Sequence, residues 1–351
     1  MKTMFKQYGK ILLYIFIIVC CYNSMTIAID MIDTKNLYPV KINQKYGYID
    51  SNGRLIINPE FDMVSESFSE GLAAVRIGNK CGFIDSTGKL VIGLKFDGAL
   101  NFNEGLAAVE VNDKWGFIDK TGKFVIPPKY DRPTDYFPSA YIFSEALACV
   151  RIGERGSSDN EKWLYIDKTG KEMFNKTFEF NMQFTEGLGA VKEKGSKLGF
   201  INHKGEYVIK PIYDGVLPFS EGLAVVEFGG KWGYINHKGS FVIEPIFDDA
   251  YSFSEGLAVV YLKNKAGYID KTGKYRIPLK FITAHEFKEG LARVTIGKEG
   301  KMGFIDKTGK VVIQPQFDIA EDFRNGLAGV WIKDKRGYID KTGKFVWEPT
   351  K

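Results

Sequence analysis

The sequence predicts an all-β tandem array: nine three-stranded antiparallel meanders of about 34 residues each. Three observations carry this. The core Gly-(Tyr/Phe)-Ile-(Asp/Asn) begins at Gly47, Gly82, Gly116, Gly199, Gly233, Gly267, Gly303 and Gly337, and a ninth copy runs from Leu164 to Asp167. A second block, Phe-x-Glu-Gly-Leu-Ala, falls between copies, as at Phe68, Phe102 and Phe253. Aromatics make up 14 % and glycines number 38, a pairing that suits short strands joined by tight turns. A fixed period of this length marks a repeat architecture. Apolar residues at 44 % and charged residues at 26 % exclude a disordered chain.

The first 28 residues stand apart. Lys2, Lys6 and Lys10 precede an apolar run from Ile11 to Cys21, the layout of a secretory signal peptide. The run is short for a membrane span, which needs about 20 apolar residues. Thr26-Ile27-Ala28 offers a small-residue cleavage site. Lipid attachment at Cys20 or Cys21 and an uncleaved N-terminal anchor are the alternatives. The expected organisation is therefore 1–28 as signal peptide or anchor and 29–351 as one array. Export places the protein outside the cytoplasm, secreted or held at the cell envelope, with membrane contact only through the anchor or lipid. Without the three leader lysines the formal charge of +5 becomes +2, which excludes a nucleic-acid surface. Cys81 and Cys149 occupy different places in the repeat, so they form neither a disulfide framework nor a metal knuckle.

One unit shows the elements in order. Residues 223–228, Leu-Ala-Val-Val-Glu-Phe, are β-branched and apolar, hence a strand. Gly229-Gly230-Lys231 turns, Trp232–Asn236 is a second strand, His237–Ser240 turns again, and Phe241–Phe247 is a third. The connector that follows has no helical period and reads as loop or a single helical turn. An isolated meander is marginal, so units must stack.

The Asp-x-x-Gly turn between the second and third strands resembles a phosphate loop only in composition. The Gly-Lys pair leads into a strand, where a phosphate loop needs a helix. Asn202 and Asn236 replace the Asp, which preserves a type I turn and would end acid catalysis. Repeated rings, such as Tyr48, Phe61 and Phe68 of the first copy, read as a stacked core. Proline at Pro59, Pro128, Pro211, Pro245, Pro315 and Pro349 marks the third strand as a sheet edge. The connector Glu, from Glu70 to Glu289, suits capping of backbone donors at a reversal; no dense acidic cluster accompanies it, so no calcium site is expected. His203 and His237 share one turn place, and no Cys–His or Ser–His–Asp set stands out. No catalytic, cofactor-binding or metal-binding residues are expected, and no cofactor.

One step between copies is 48 residues instead of 34 to 36. The excess falls in residues 132–143 and 153–162. Insertions in repeat proteins lie on loops and often form the binding face. Tyr136, Phe137, Tyr141 and Trp163 are accordingly the candidate partner-binding residues.

The stretch Lys114–Asp131, Lys-Trp-Gly-Phe-Ile-Asp-Lys-Thr-Gly-Lys-Phe-Val-Ile-Pro-Pro-Lys-Tyr-Asp, with the Phe-Asn-Glu-Gly-Leu-Ala block at Phe102, resembles the WG (KWG) repeat family. The resemblance spans about residues 37–351. The Trp-Gly pair itself stands only at Trp115-Gly116 and Trp232-Gly233. The family implies β-rich arrays, often exported, with no defined enzymatic activity. Both chain ends carry complete units and no half-unit seeks a partner, so an open solenoid or superhelix is expected, with a closed propeller-like ring as the alternative. The expected function is a non-catalytic scaffold for protein–protein contact at or outside the envelope. A wall-glycan binder using aromatic hairpins is the alternative.

Overall fold

The computed structural model describes residues 36–132, 141–153, 162–297 and 299–349; the leader lies outside them. Strands group into nine antiparallel sheets, one per repeat. Numbered in chain order as blades, they run Tyr38–Phe61, Met63–Phe96, Gly98–Asp131, Phe143–Asp167, Phe180–Tyr213, Gly215–Phe247, Asp249–Phe281, Thr283–Phe317 and Ile319–Trp347. Eight meanders are present as expected; in blade 4 the third strand is reduced to the isolated bridges Ile166–Glu172 and Trp163–Phe178. Eight blades also carry a two-residue strand drawn from the connector, such as Met63–Val64, which pairs with the strand Leu72–Ile77. Among the described residues blade 1 has three strands and lacks this one.

The blades close into a ring, a nine-bladed propeller, which overturns the open solenoid. Blade 9 packs on blade 1: Tyr38, Val40 and Ile49 share one core cluster with Leu327 and Tyr338. The reasoning from complete end units failed because closure here shares no strand between the termini. It needs only that the last face fit the first. Eight of the nine junctions use the same fit, and between blades 4 and 5 Gly205 meets Phe174 instead. The Asp-x-x-Gly turn of one blade seats its glycine on a branched residue of the preceding outer strand, as Gly88 on Ile57 and Gly122 on Ile92. Gly53 closes the set against Val346.

A ring pair also recurs at each junction. Phe83 and Phe102 lie 4.9 Å apart, Phe200 and Phe219 5.1 Å, and Tyr268 and Phe287 4.9 Å between centroids. At the closing junction Tyr38 takes the part of the connector Phe, 5.5 Å from Tyr338. These rings are buried. Burial of each such side chain stabilises by about 1.5–3 kcal/mol.

The outer strand is an edge in each four-stranded sheet, where proline costs no ladder bond. It bulges over the WG glycine: a Cβ on Gly116 would stand 2.5 Å from the Ile126 carbonyl oxygen.

Connectors of consecutive blades touch directly, as Ser69 Oγ to the Phe102 carbonyl at 2.5 Å. Arg324 of blade 9 reaches the Glu66 carbonyl of blade 2, past blade 1. Contact between second neighbours is possible only near the ring axis, so the connectors and their short strands form the inner side.

Candidate functional site

The blades are fastened by two latches, and the candidate site is the place where both are missing. In the first, the connector Glu caps the next blade. The Gly105 N–H donates to Glu70 Oε1 at 3.0 Å, and Lys120 pairs with Glu70 at 3.0 Å. The same arrangement recurs at Glu104, Glu145, Glu186, Glu221, Glu255 and Glu289. The capping expectation was thus sound, with the donors in the following blade. His203 and His237 stand in the place of the turn Lys in two latches, 3.4 Å from Glu145 and 3.3 Å from Glu186.

The second latch uses the Lys that precedes the Trp-Gly place. Lys45 pairs at 2.6 Å with Asp62, which stands just before the inner strand of the next blade. The other oxygen of Asp62 accepts from the Gly78 N–H at 2.8 Å and so caps that blade's own hairpin turn. Lys80–Asp97, Lys114–Asp131, Lys197–Asp214, Lys231–Asp248 and Lys301–Asp318 repeat the pair. The Lys45 hydrogen bond holds the Asp62 carboxyl below its ordinary value, and Lys80 does the same to Asp97.

At the junction of blades 9 and 1 both latches lapse. Asn325 replaces the Glu, and Ser51 stands where the turn Lys would be. Lys335 faces no carboxylate among the described residues. Arg336 spans the gap instead, paired with Glu66 at 2.8 Å and Glu321 at 2.7 Å and packed against the rings of Trp331 and Tyr338. Beside it lies a cavity of about 350 Å³ lined by Tyr38, Glu66, Glu321, Phe323, Arg324 and Tyr338 among others. The Tyr338 hydroxyl donates to the Pro39 carbonyl at 2.8 Å. Burial pushes that hydroxyl above its ordinary range.

The sequence-based candidates fall elsewhere. Tyr136 and Phe137 lie outside the described residues. Tyr141 and Trp163 are buried, at 1 % and 2 % exposure. Tyr141 packs near Trp115, with ring centroids 5.8 Å apart, and its hydroxyl accepts from the Arg151 N–H at 3.1 Å. Trp163 exchanges two backbone hydrogen bonds with Phe178, each 2.9 Å. The structure therefore does not bring the two rings to a common surface. The seam residues Lys335, Arg336 and Tyr38 were missed. The signal for them was present: an Asp follows the repeat Lys by seventeen residues in most units, tying each unit to the next.

Among the described residues no group of three His, Cys, Asp or Glu side chains is placed to hold a metal ion. Cys81 and Cys149 are free and buried, and burial pushes the Cys149 thiol up.

The profile of the WG containing repeat matches residues 46–81, 82–115, 115–155, 165–197, 199–232, 232–265, 267–299 and 302–335. No curated protein matches the chain significantly. A crystal structure of a eukaryotic initiation factor superimposes with a TM-score of 0.63 at 12 % identity, covering 89 % of this chain and 95 % of that one. At that identity the likeness shows the fold alone. The computationally designed Ika8 protein has a TM-score of 0.47 at 12 % identity, covering 80 % and 94 %. BamB from Moraxella catarrhalis has 0.43 at 10 %, covering 78 % and 92 %. These two likenesses are too weak to carry an argument.

Proposed function

The chain belongs to the WG containing repeat family, and on that premise we propose that it is a non-catalytic ring that docks a partner protein outside the cytoplasm. The observation that carries the docking role is the seam. Among the described residues both latches lapse together at the junction of blades 9 and 1, where Asn325, Ser51 and Tyr38 depart from the repeat and Arg336 borders a cavity. Export rests on the leader sequence. The repeated hairpin rings are consumed by inter-blade packing, which removes them as sugar platforms.

A glycan ligand is the second reading, supported by the exposed rings of Phe124, Phe228, Tyr251 and Tyr275 on the outer and inner parts of several blades. One experiment separates the two. The immobilised ring is incubated with solubilised envelope proteins and, separately, with cell-wall polysaccharide of its own cell. Stoichiometric retention of one protein supports docking. Retention of polysaccharide alone supports the glycan reading, and retention of neither overturns both.

A further inference from the structure

Blades 5 and 6 differ from the rest at the outer rim. Their outer strands, Tyr207–Tyr213 and Phe241–Phe247, alternate as the others do, with Ile209 and Tyr213 or Ile243 and Phe247 buried and the residues between them turned out. Blade 5 turns out Val208, Lys210 and Ile212, and blade 6 turns out Val242, Glu244 and Ile246. The last place of this triplet holds Glu60, Lys95, Lys129, Lys280 or Gln316 in blades 1, 2, 3, 7 and 8, where a polar group keeps the rim wetted. In blades 5 and 6 it is isoleucine. The four aliphatic side chains are exposed, at 44 % for Val208, Ile212 and Val242 and 56 % for Ile246.

One ring joins the two halves into a single patch. Phe228 of blade 6 is 42 % exposed and stands 6.3 Å from Tyr213 and 6.2 Å from Phe241 between centroids, so it bridges the two outer strands. The matching junctions of blades 2 and 3 and of blades 8 and 9 have the outer pair, Phe96 with Phe124 and Phe317 with Phe345, but Val111 and Ile332 stand in the place of Phe228. A contiguous exposed apolar patch marks a contact surface. Pro211 and Pro245 remove backbone donors from both strand edges, so the patch offers its side chains and not a ladder.

Lys210 and Glu244 select the occupant. Both are exposed, and neither enters an ion pair or hydrogen bond among the described residues. They hold the same place in the same frame, one blade apart, with opposite charge. Blades 1, 2, 3, 7 and 8 have Asn58, Gly93, Pro127, Pro278 and Gln314 there, none of them charged. A surface of Val-Lys-Ile beside Val-Glu-Ile is complementary to itself. Turned about a twofold axis that passes between the two blades, it sets each lysine on the other copy's glutamate and aliphatic groups on aliphatic groups. This is the condition for an isologous contact, in which residue i of one copy meets j of the other and j meets i.

We propose that the protein forms a twofold dimer through the rim of blades 5 and 6, with Lys210 of each copy paired to the partner's Glu244 around an apolar centre of Ile212, Phe228, Val242 and Ile246. The junction of blades 5 and 6 lies across the ring from the seam, with blades 6 to 9 on one side and blades 1 to 5 on the other. The dimer therefore leaves both seams free and points them apart, and it does not depend on what the seam docks.

The protein purified from its own cells is sedimented at equilibrium over roughly a hundredfold range of concentration through the micromolar. A monomer–dimer equilibrium is expected. Lys210→Glu and Glu244→Lys each set like charges across both symmetric contacts and should weaken association roughly tenfold or more. The double variant Lys210→Glu/Glu244→Lys restores opposite charges and should return the affinity to within about threefold of the parent. Both side chains are exposed and unpaired within one ring, so the melting temperature should not move in any of the three. Ile246→Asp should remove the dimer, and Glu60→Lys, at the Ile246 place of blade 1, should leave it intact. A monomer at every concentration overturns the assignment. So does a dimer that neither single reversal weakens, or one that the double variant fails to restore.

Discussion

Glu221 sits at φ 54°, in the left-handed region that Asn, Asp and Gly tolerate and Glu avoids. It forms with Gly222 a tight reversal closed by Ser220 N to Leu223 O at 2.9 Å. The turn alone does not call for Glu. Its carboxylate is what the next blade needs, at Gly256 and Lys271. Asn325 supports this: where Ser51 replaces the turn Lys of the following blade, the residue with the natural preference for this backbone returns. Glu221→Ala should therefore lower unfolding free energy by about 1–2 kcal/mol. Asn325→Glu should also destabilise, by about 1 kcal/mol, because it adds strain without a latch. Urea titration of both variants checks the pair. Gly116→Ala is expected to be far worse, roughly 3 kcal/mol or more, since its methyl would meet the Ile126 backbone. The turn acids set the pH response. A hydrogen bond from the Thr two residues on leads the causes that hold Asp119, Asp270 and Asp306 below the ordinary 3.8, with Asp270 at about 2. A depressed folded value stabilises above the ordinary one and is lost as pH falls through the folded one. The urea midpoint should stay level down to about pH 4 and fall between about pH 4 and pH 2. A midpoint that falls already from pH 6 would point to other groups.

The meander was readable because each of its strands obeys a local rule. Ile209 and Tyr213 face inward in Tyr207–Tyr213 while Val208 and Lys210 face out, and the Asp-x-x-Gly turn fixes the hairpin. The two-residue inner strand was not readable. It is too short for a period and exists only because the second strand offers it a ladder. Tyr141 and Trp163 misled for a related reason: extra rings near an insertion looked surplus to the repeat, yet Tyr141 fills the place beside Trp115 that a regular connector fills elsewhere. Among the described residues no inner strand covers blade 1, and this makes its own prediction. The Lys41 amide should exchange with deuterium at least tenfold faster than the Arg76 amide, which faces the strand Met63–Val64. Equal protection at the two positions in the free protein would mean that the edge is already covered.

Closure was hidden from the sequence because the closing fit, Gly53 on Val346, is the same fit used at most other junctions, and repetition of a contact does not state whether the series ends. The clue lay in exceptions, with Tyr38 standing where Ala73, Ala107 and Ala224 stand in other blades. A closed ring changes what deletion does. Removing residues 233–266 from an open array would leave a shorter, less stable array. Removing them from this ring forces eight blades to meet at a wider angle at every junction, so the seam should part. The expected result is a marked drop in melting temperature with fast exchange throughout blade 1, read by calorimetry and deuterium uptake. Retention of the parent melting temperature would mean that the junctions bend freely. The latches themselves have a direction. In the Glu latch each carboxylate belongs to the earlier unit and its donors to the later one; in the Lys–Asp latch the ammonium comes first and the acid second. A polypeptide leaving the ribosome or a translocation pore N-terminus first therefore offers every waiting group its partner in the order of synthesis, like teeth meeting a slider. The zip has no final tooth of its own kind: it stops at Asn325, and the circle is completed by rings and a guanidinium.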